Sequence, residues 1–126
     1  MAKPHKKILI IDDDLRLDKM LVLMFEGHGL ATEFAASGSH ALEILTQFRP
    51  DAIILDLMMP GMDGFEVCER IKKDTALKDI PVIVLTALPA DVHKERALSL
   101  GACAYIEKPF VSAKLLDKIK EVMGEF

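Results

Sequence analysis

Asp12, Asp13, Asp56, Thr86 and Lys108 each follow a short apolar run in this chain. Ile8-Leu9-Ile10-Ile11 leads into Asp12-Asp13-Asp14, and Ile53-Ile54-Leu55 leads into Asp56. Val82-Ile83-Val84-Leu85 leads into Thr86, and Ala104-Tyr105-Ile106-Glu107 leads into Lys108-Pro109. If the runs are neighbouring parallel strands, their carboxyl ends gather carboxylates, one hydroxyl and one ammonium in one crevice. That set suits a divalent cation and a phosphoryl group. Clustered carboxylates repel and raise one another's pKa. A hard cation such as Mg2+ takes oxygen ligands, keeps some waters and relieves that conflict. Asp56 stands alone at its strand end and is the candidate nucleophile. Its attack on a phosphorylated donor gives an acyl phosphate. Lys108 and Thr86 are then the groups available to neutralise or hydrogen-bond the transferring oxygens.

Each residue also has a structural reading. Aspartates before a helix commonly serve as N-caps favoured by the helix dipole. A threonine at a strand end is commonly packing, and a lysine before proline is commonly solvated. The joint occurrence at four strand ends favours chemistry.

The elements that must position these residues alternate. Leu17, Met20, Leu21 and Met24 are spaced i, i+3, i+4, i+7 and predict an amphipathic helix over 14–28, ended by Gly27 and Gly29. Ala41, Ile44, Leu45 and Phe48 repeat the spacing in a second helix closed by Pro50. Phe65, Cys68 and Ile71 mark a third, residues 90–99 a more polar fourth, and Leu115, Ile119, Val122 and Met123 the last. Strands are expected at 7–11, 31–35, 51–55, 81–85 and 103–106. Three are nearly continuous aliphatic runs, as strands covered on both faces require. The mixed 31–35 segment reads as an edge. Strict alternation gives an α/β fold with a parallel sheet. Right-handed crossovers favour a doubly wound five-stranded order, 2-1-3-4-5, of flavodoxin-like type. Its crevice lies between the first and third strands, where Asp12, Asp13 and Asp56 would sit, with Thr86 and Lys108 on the far side.

The 126 residues fit one domain, 1–126. Half are hydrophobic, enough for a core, and the net charge is −4. The one basic cluster, Lys3-His5-Lys6-Lys7, reads as a solvated terminus and not as a nucleic-acid arm. No apolar run approaches the ~20 residues of a membrane span, and the polar stretch after Met1 is no signal peptide. Cys68 and Cys103 match no zinc or redox spacing and read as small buried or half-buried hydrophobes in a cytoplasmic protein. His5, His28, His40 and His93 are too scattered for a metal site.

At its functional residues the chain resembles the receiver domain of two-component response regulators, of the stand-alone, chemotaxis-regulator-like kind, along essentially its whole length. Ile8-Leu9-Ile10-Ile11-Asp12-Asp13 is similar to the family's acidic pocket. The stretch from Asp56 through Met58-Met59-Pro60-Gly61-Met62-Asp63 to Gly64 is similar to the phosphoacceptor strand end and its loop. Thr86-Ala87 and Lys108-Pro109-Phe110 match the remaining signatures, and Tyr105 falls at the switch-aromatic position. The resemblance implies that Asp13 and Asp56 ligate Mg2+ directly, Asp12 through a metal-bound water, and Met58 through its backbone carbonyl. Met59 and Met62 would then be loop packing. It implies a cis peptide at Lys108-Pro109 and a switch in which Thr86 moves to the phosphoryl group and Tyr105 turns inward.

The implied protein is a phosphorylation-activated switch and not a turnover enzyme. A sensor histidine kinase or phosphotransfer protein supplies the phosphoryl group, and the domain catalyses only its own phosphorylation and dephosphorylation. A downstream protein target reads residues 90–124, without direct nucleic-acid or membrane contact. Ala90, Val92 and Ala97 are small or apolar enough for a partner groove, with core packing the leading role for Val92. Met1 and the complete last helix lean towards a stand-alone protein over a fragment. Winged-helix members dimerise through charged residues on the fourth helix, fifth strand and fifth helix. The acidic pair expected after Gly101-Ala102 is here Cys103-Ala104, so a monomer is expected when unphosphorylated. Met58 and Leu88 stand where relatives carry polar groups that orient the hydrolytic water. Two rivals fare worse. A haloacid-dehalogenase-type phosphatase places a second Asp two residues after its nucleophile, where this chain has Met58. A flavin or nucleotide module needs a Gly-rich phosphate loop after the first strand, where this chain has three Asp.

Overall fold

Alternation along the strands decides how this chain layers. The computed structural model describes residues 6–124. Five strands and five helices alternate: β1 (Lys7–Ile11), α1 (Leu15–Gly27), β2 (Ala31–Ala35), α2 (Gly38–Ile44), β3 (Ala52–Leu55), α3 (Gly64–Lys73), β4 (Val82–Thr86), α4 (Ala90–Ser99), β5 (Ala104–Glu107) and α5 (Ser112–Met123). All pairings are parallel, and the sheet order is β2-β1-β3-β4-β5. Successive side chains on a strand point to opposite faces. Leu9, Ile11, Ile53, Leu55, Val82 and Val84 therefore share one layer with Phe65, Val67, Cys68 and Ile71 of α3 and with Ala97 of α4. Ile8, Ile10, Ile54, Ile83 and Leu85 face the other way, against Leu21 and Phe25 of α1 and Leu115 and Ile119 of α5. Both faces of the central strands are covered, which explains their unbroken aliphatic runs. Phe25 is fully buried; truncating it to Ala costs about 3–5 kcal/mol.

The expected elements are present, with local differences. The α2 helix stops at Ile44 and Phe48 lies beyond it. The chain turns there, with Thr46 donating both its amide, at 3.1 Å, and its hydroxyl, at 2.7 Å, to the Glu43 carbonyl. The buried stripe of α1 is Leu21 and Phe25, while Met20 is exposed. Cys68 is buried as expected, but Cys103 is exposed, because it precedes β5 at the rim of the sheet. Val92 is 68% exposed and does not pack in the core, whereas Ala97 is buried and not open to a partner. Met59 is buried and Met62 packs against the same layer.

Lys3 and His5 lie outside the described residues. Lys6 donates to the Met123 carbonyl at 2.5 Å, and the Lys7 ammonium lies 5.6 Å from the Phe48 ring centroid. Both lysines thus serve the fold. Among the described residues no helix is long and apolar enough to cross a membrane.

Candidate phosphoacceptor site

The register of four strands brings the five expected side chains to one rim. The Asp12 amide donates to the Ala35 carbonyl at 3.0 Å, and the Asp56 amide donates to the Ile11 carbonyl at 2.9 Å. The ends of β2, β1 and β3 are thereby stitched together. The Lys108 amide donates to the Thr86 carbonyl at 2.8 Å, which fixes the end of β5 against β4. The Lys108–Pro109 peptide is cis.

The three consecutive aspartates divide their labour. Asp14 caps α1, accepting from the Arg16 and Leu17 amides at 3.0 and 3.3 Å. The capping reading is therefore right for Asp14, and Asp12 and Asp13 remain for the crevice. One carboxylate oxygen from each of Asp12, Asp13 and Asp56 lies within 4.8 Å of the others. Among the described residues this is the one such group of three, and no histidine joins it.

The buried polar residues of the described chain are Asp12, Asp56 and Thr86. Lys108 donates to Asp12 Oδ2 at 2.7 Å and to Asp56 Oδ2 at 3.1 Å. The Thr86 hydroxyl donates to Asp56 Oδ1 at 2.8 Å, and the Met58 amide donates to the same oxygen at 2.9 Å. Every buried charge thus has a partner, as burial demands. Burial is the main cause that raises the Asp12 pKa above 3.8; its bond to Lys108 opposes this, and the Asp56 charge adds the smallest push. Desolvation, more than mutual repulsion, is what the acidic pocket imposes on Asp12. Burial pulls the Lys108 pKa down, yet its contacts with Asp12 and Asp56 outweigh this and leave it raised above 10.5. The ammonium stays charged.

Local sequence shapes the loop beyond β3. Asp63 caps α3 by accepting from the Glu66 amide at 2.9 Å. A Cβ on Gly64 would meet the Asp56 carbonyl oxygen at 2.4 Å and the Leu57 Cα at 2.5 Å. Only glycine lets α3 start so close to the Asp56 backbone. Gly64 was legible as part of the loop motif, but its reason is this contact. Met58 is 52% exposed, and Leu88 is half-buried against the α3–α4 layer; their amides lie 2.9 Å from Asp56 Oδ1 and 3.4 Å from the Thr86 hydroxyl oxygen.

Two surfaces adjoin the site. A cleft of about 340 Å3 between α1 and the β5–α5 loop is lined by Asp14, Leu17, Met20, Lys108, Pro109 and Phe110. A groove of about 600 Å3 runs along β5 and α5, with Ala90, Tyr105, Glu107, Val111 and Lys114 among its lining. Tyr105 packs against the α3–α4 layer, and its hydroxyl donates to the Leu88 carbonyl at 2.8 Å. Burial raises the Tyr105 pKa, helped by the charges of Glu107 and Asp56. Glu107, which sequence reasoning left unassigned, accepts from the Ala90 amide at 2.8 Å.

A family model described as "Response regulator receiver domain" matches residues 8–120. The chain is 36% identical over 120 residues to the DNA-binding response regulator MtrA of Mycolicibacterium smegmatis, covering 95% of this chain and 51% of that protein. It is 39% identical over 118 residues to the probable transcriptional regulator ycf27 of Guillardia theta, covering 94% and 45%. The chain thus spans about half the length of these curated relatives. Among solved structures, a putative response regulator from Chloroflexus aurantiacus superposes with a TM-score of 0.90 at 36% identity, over 96% of this chain and 98% of that one. The chemotaxis protein CheY4 of Vibrio cholerae gives 0.88 at 30% identity, over 94% and 99%. The acidic pocket, the strand order and these matches agree: the chain belongs to the family of response regulator receiver domains.

Proposed function

We infer that this receiver domain, taken as residues 1–126, is a switch thrown by phosphorylation of Asp56. The observation that carries the reading is the set of donors around one carboxylate. Asp56 ends the central strand, and an ammonium, a hydroxyl and a backbone amide already point at its oxygens. In the reaction a carboxylate oxygen of Asp56 bonds to phosphorus while the P–N bond to a donor imidazole breaks. The electron pair returns to the nitrogen, leaving an acyl phosphate on Asp56. Lys108 and Thr86 then transfer their hydrogen bonds to the phosphoryl oxygens, where charge is greatest.

The donor set fits Mg2+: three carboxylates face one ammonium, an excess of negative oxygen that a hard cation prefers. Asp13 and Asp56 would hold it directly, Asp12 through water and Met58 through its carbonyl. When bound, Mg2+ supplies positive charge to the phosphoryl oxygens. The apolar cleft beside α1 leads to Lys108 and suits docking of a histidine kinase or phosphotransfer protein. The groove along β5 and α5 suits a downstream protein target. The DNA binding named for MtrA belongs to a protein about twice this length; no nucleic-acid role is assigned to the receiver itself.

The output switch is Thr86 with Tyr105. Thr86 is bonded to Asp56, and the Leu88 amide lies 3.4 Å from the Thr86 hydroxyl oxygen. Movement of that hydroxyl shifts the loop that Tyr105 grips at Leu88. Intact-mass measurement with acetyl phosphate and Mg2+ tests the reading. The parent gains one phosphoryl group and Asp56→Asn gains none; full labelling of the variant places the acceptor elsewhere.

A further inference from the structure

The α4 helix is weakly held. Of its ten residues one, Ala97, is buried, and its N-cap, Pro89, has no side chain able to bond the first-turn amides. On one side the helix is held by Phe65, whose ring centroid lies 3.9 Å from the Arg96 guanidinium and 6.0 Å from the His93 ring centroid. At its start two residues of β5 reach across. Tyr105 bonds the Leu88 carbonyl, and Glu107 accepts from the Ala90 amide. Tyr105 and Glu107 are two apart on a strand, so both face α4. A carboxylate at a helix N-terminus is favoured by orphan amides and by the dipole. Glu107 supplies from β5 the cap that the local sequence lacks.

Glu107 is also the neighbour of Lys108, whose ammonium joins Asp12 to Asp56. Resting on the reading of Asp56 as phosphoacceptor, we propose that Glu107 is a positioning residue that couples the phosphorylation site to α4. Before phosphorylation, Lys108 holds the end of β5 to the acidic pocket and Glu107 holds α4 to the end of β5. A phosphoryl group draws Lys108 and the Thr86 hydroxyl towards itself. The loop from Thr86 to Pro89 moves with Thr86, because the Leu88 amide contacts that hydroxyl oxygen. The Ala90 amide is carried away from Glu107, and the first turn of α4 loosens. Glu107 itself touches neither metal nor phosphoryl group.

Amide hydrogen exchange at residues 90–93, on the full chain with and without acetyl phosphate and Mg2+, tests this. In the parent, labelling should speed exchange there about fivefold, the scale of one lost carboxylate–helix contact. Glu107→Ala should exchange faster before labelling, and labelling should add nothing. Glu107→Gln keeps an acceptor without the charge and should fall between. A plain structural cap would raise the basal rate yet leave the labelling increment intact, so an unchanged increment in Glu107→Ala overturns the proposal. So does a labelled parent whose 90–93 exchange does not change. A parent that takes no phosphoryl group on Asp56 sinks the phosphoacceptor reading first, and this inference with it.

Discussion

Lys108→Met keeps the aliphatic stem and deletes the ammonium that holds the acidic pocket together. That ammonium lies 2.7 Å from Asp12 and 3.1 Å from Asp56, whose side chains are 4% and 8% exposed. Water therefore replaces little of what is lost. Removing one partner of a buried pair costs about 3–5 kcal/mol. Two features pull this site towards the lower end. Lys108 is itself partly open to solvent, and Asp56 keeps its bonds to Thr86 and the Met58 amide. The expected loss is about 2–4 kcal/mol near neutral pH, against a total of roughly 6–15 kcal/mol for a chain of this size. The pH dependence fixes the sign. Asp12 has a folded pKa above 3.8, so the folded state binds its proton more tightly than the unfolded state does. Deleting Lys108 removes a lowering influence and raises that pKa further. The deficit is full above the variant's Asp12 pKa and shrinks as pH falls through that value to the parent's own raised value. Urea denaturation followed by circular dichroism, at about pH 7 and about pH 5, reads both effects. Added Mg2+ brings positive charge to the same carboxylates and should narrow the gap at the higher pH. A variant within about 0.5 kcal/mol of the parent near pH 7, or a deficit that grows on acidification, refutes this account.

Three further outcomes are expected. Neither Met58 nor Leu88 can hydrogen-bond a hydrolytic water through its side chain, so the phosphorylated parent should persist. Met58→Asn with Leu88→Glu should speed phosphate loss about tenfold, or ~1.4 kcal/mol in the barrier, and an equally fast parent would contradict this. Asp13→Ala should weaken Mg2+ binding in calorimetry and remove Mg2+-dependent thermal stabilisation, which for the parent reaches about 2.7 kcal/mol at a hundred times Kd; an unchanged titration would exclude Asp13 as a ligand. Light scattering should show a monomer without phosphodonor and no ion-paired dimer through α4, β5 and α5 with it, because Cys103 and Ala104 carry no charge; a phosphorylation-dependent dimer broken by mutations on that face would count against this.

The parts of the fold legible in the sequence are those governed by short-range pattern. β1, β3 and β4 are aliphatic without break because both faces are covered. The bounds of α4 follow from Pro89 and Gly101 on either side. Patterns misled where the chain left its helix early. Phe48 continues the i, i+4 series, yet the turn after Ile44 ends α2 first. Val92 and Cys103 are apolar or nearly so, and sequence alone did not show that Val92 takes the outer side of α4 or that the residue before β5 is open to solvent. The five residues of the candidate site were legible because each lies at or just beyond a strand end, and strand order then brings them together. Glu107 was not legible as a cap. Its partner lies seventeen positions away and offers only a backbone amide, which no residue type announces.

The position of the buried polar groups bears on how the proposed switch would work. Asp12, Asp56 and Thr86 sit at the ends of three adjacent strands, and the rest of the buried set is apolar apart from backbone. Apolar residues there would serve stability as well or better, since replacing a buried ionic cluster by packed hydrophobes is often neutral or stabilising. What the polar cluster gives is a balance that a small charge change upsets. Lys108 divides itself between two carboxylates, and Thr86 spends its one proton on Asp56. A phosphoryl group on Asp56 competes for both donors at once, and neither can satisfy old and new partners together. The rearrangement cannot relax into the sheet, because the aliphatic layers on both faces are close-packed and resist small shifts. It passes instead to the loop after Thr86 and the end of β5, which are joined where Tyr105 bonds the Leu88 carbonyl and Glu107 accepts from the first amide of α4. A rigid core on one side and a lightly anchored helix on the other give the local charge change one direction in which to act.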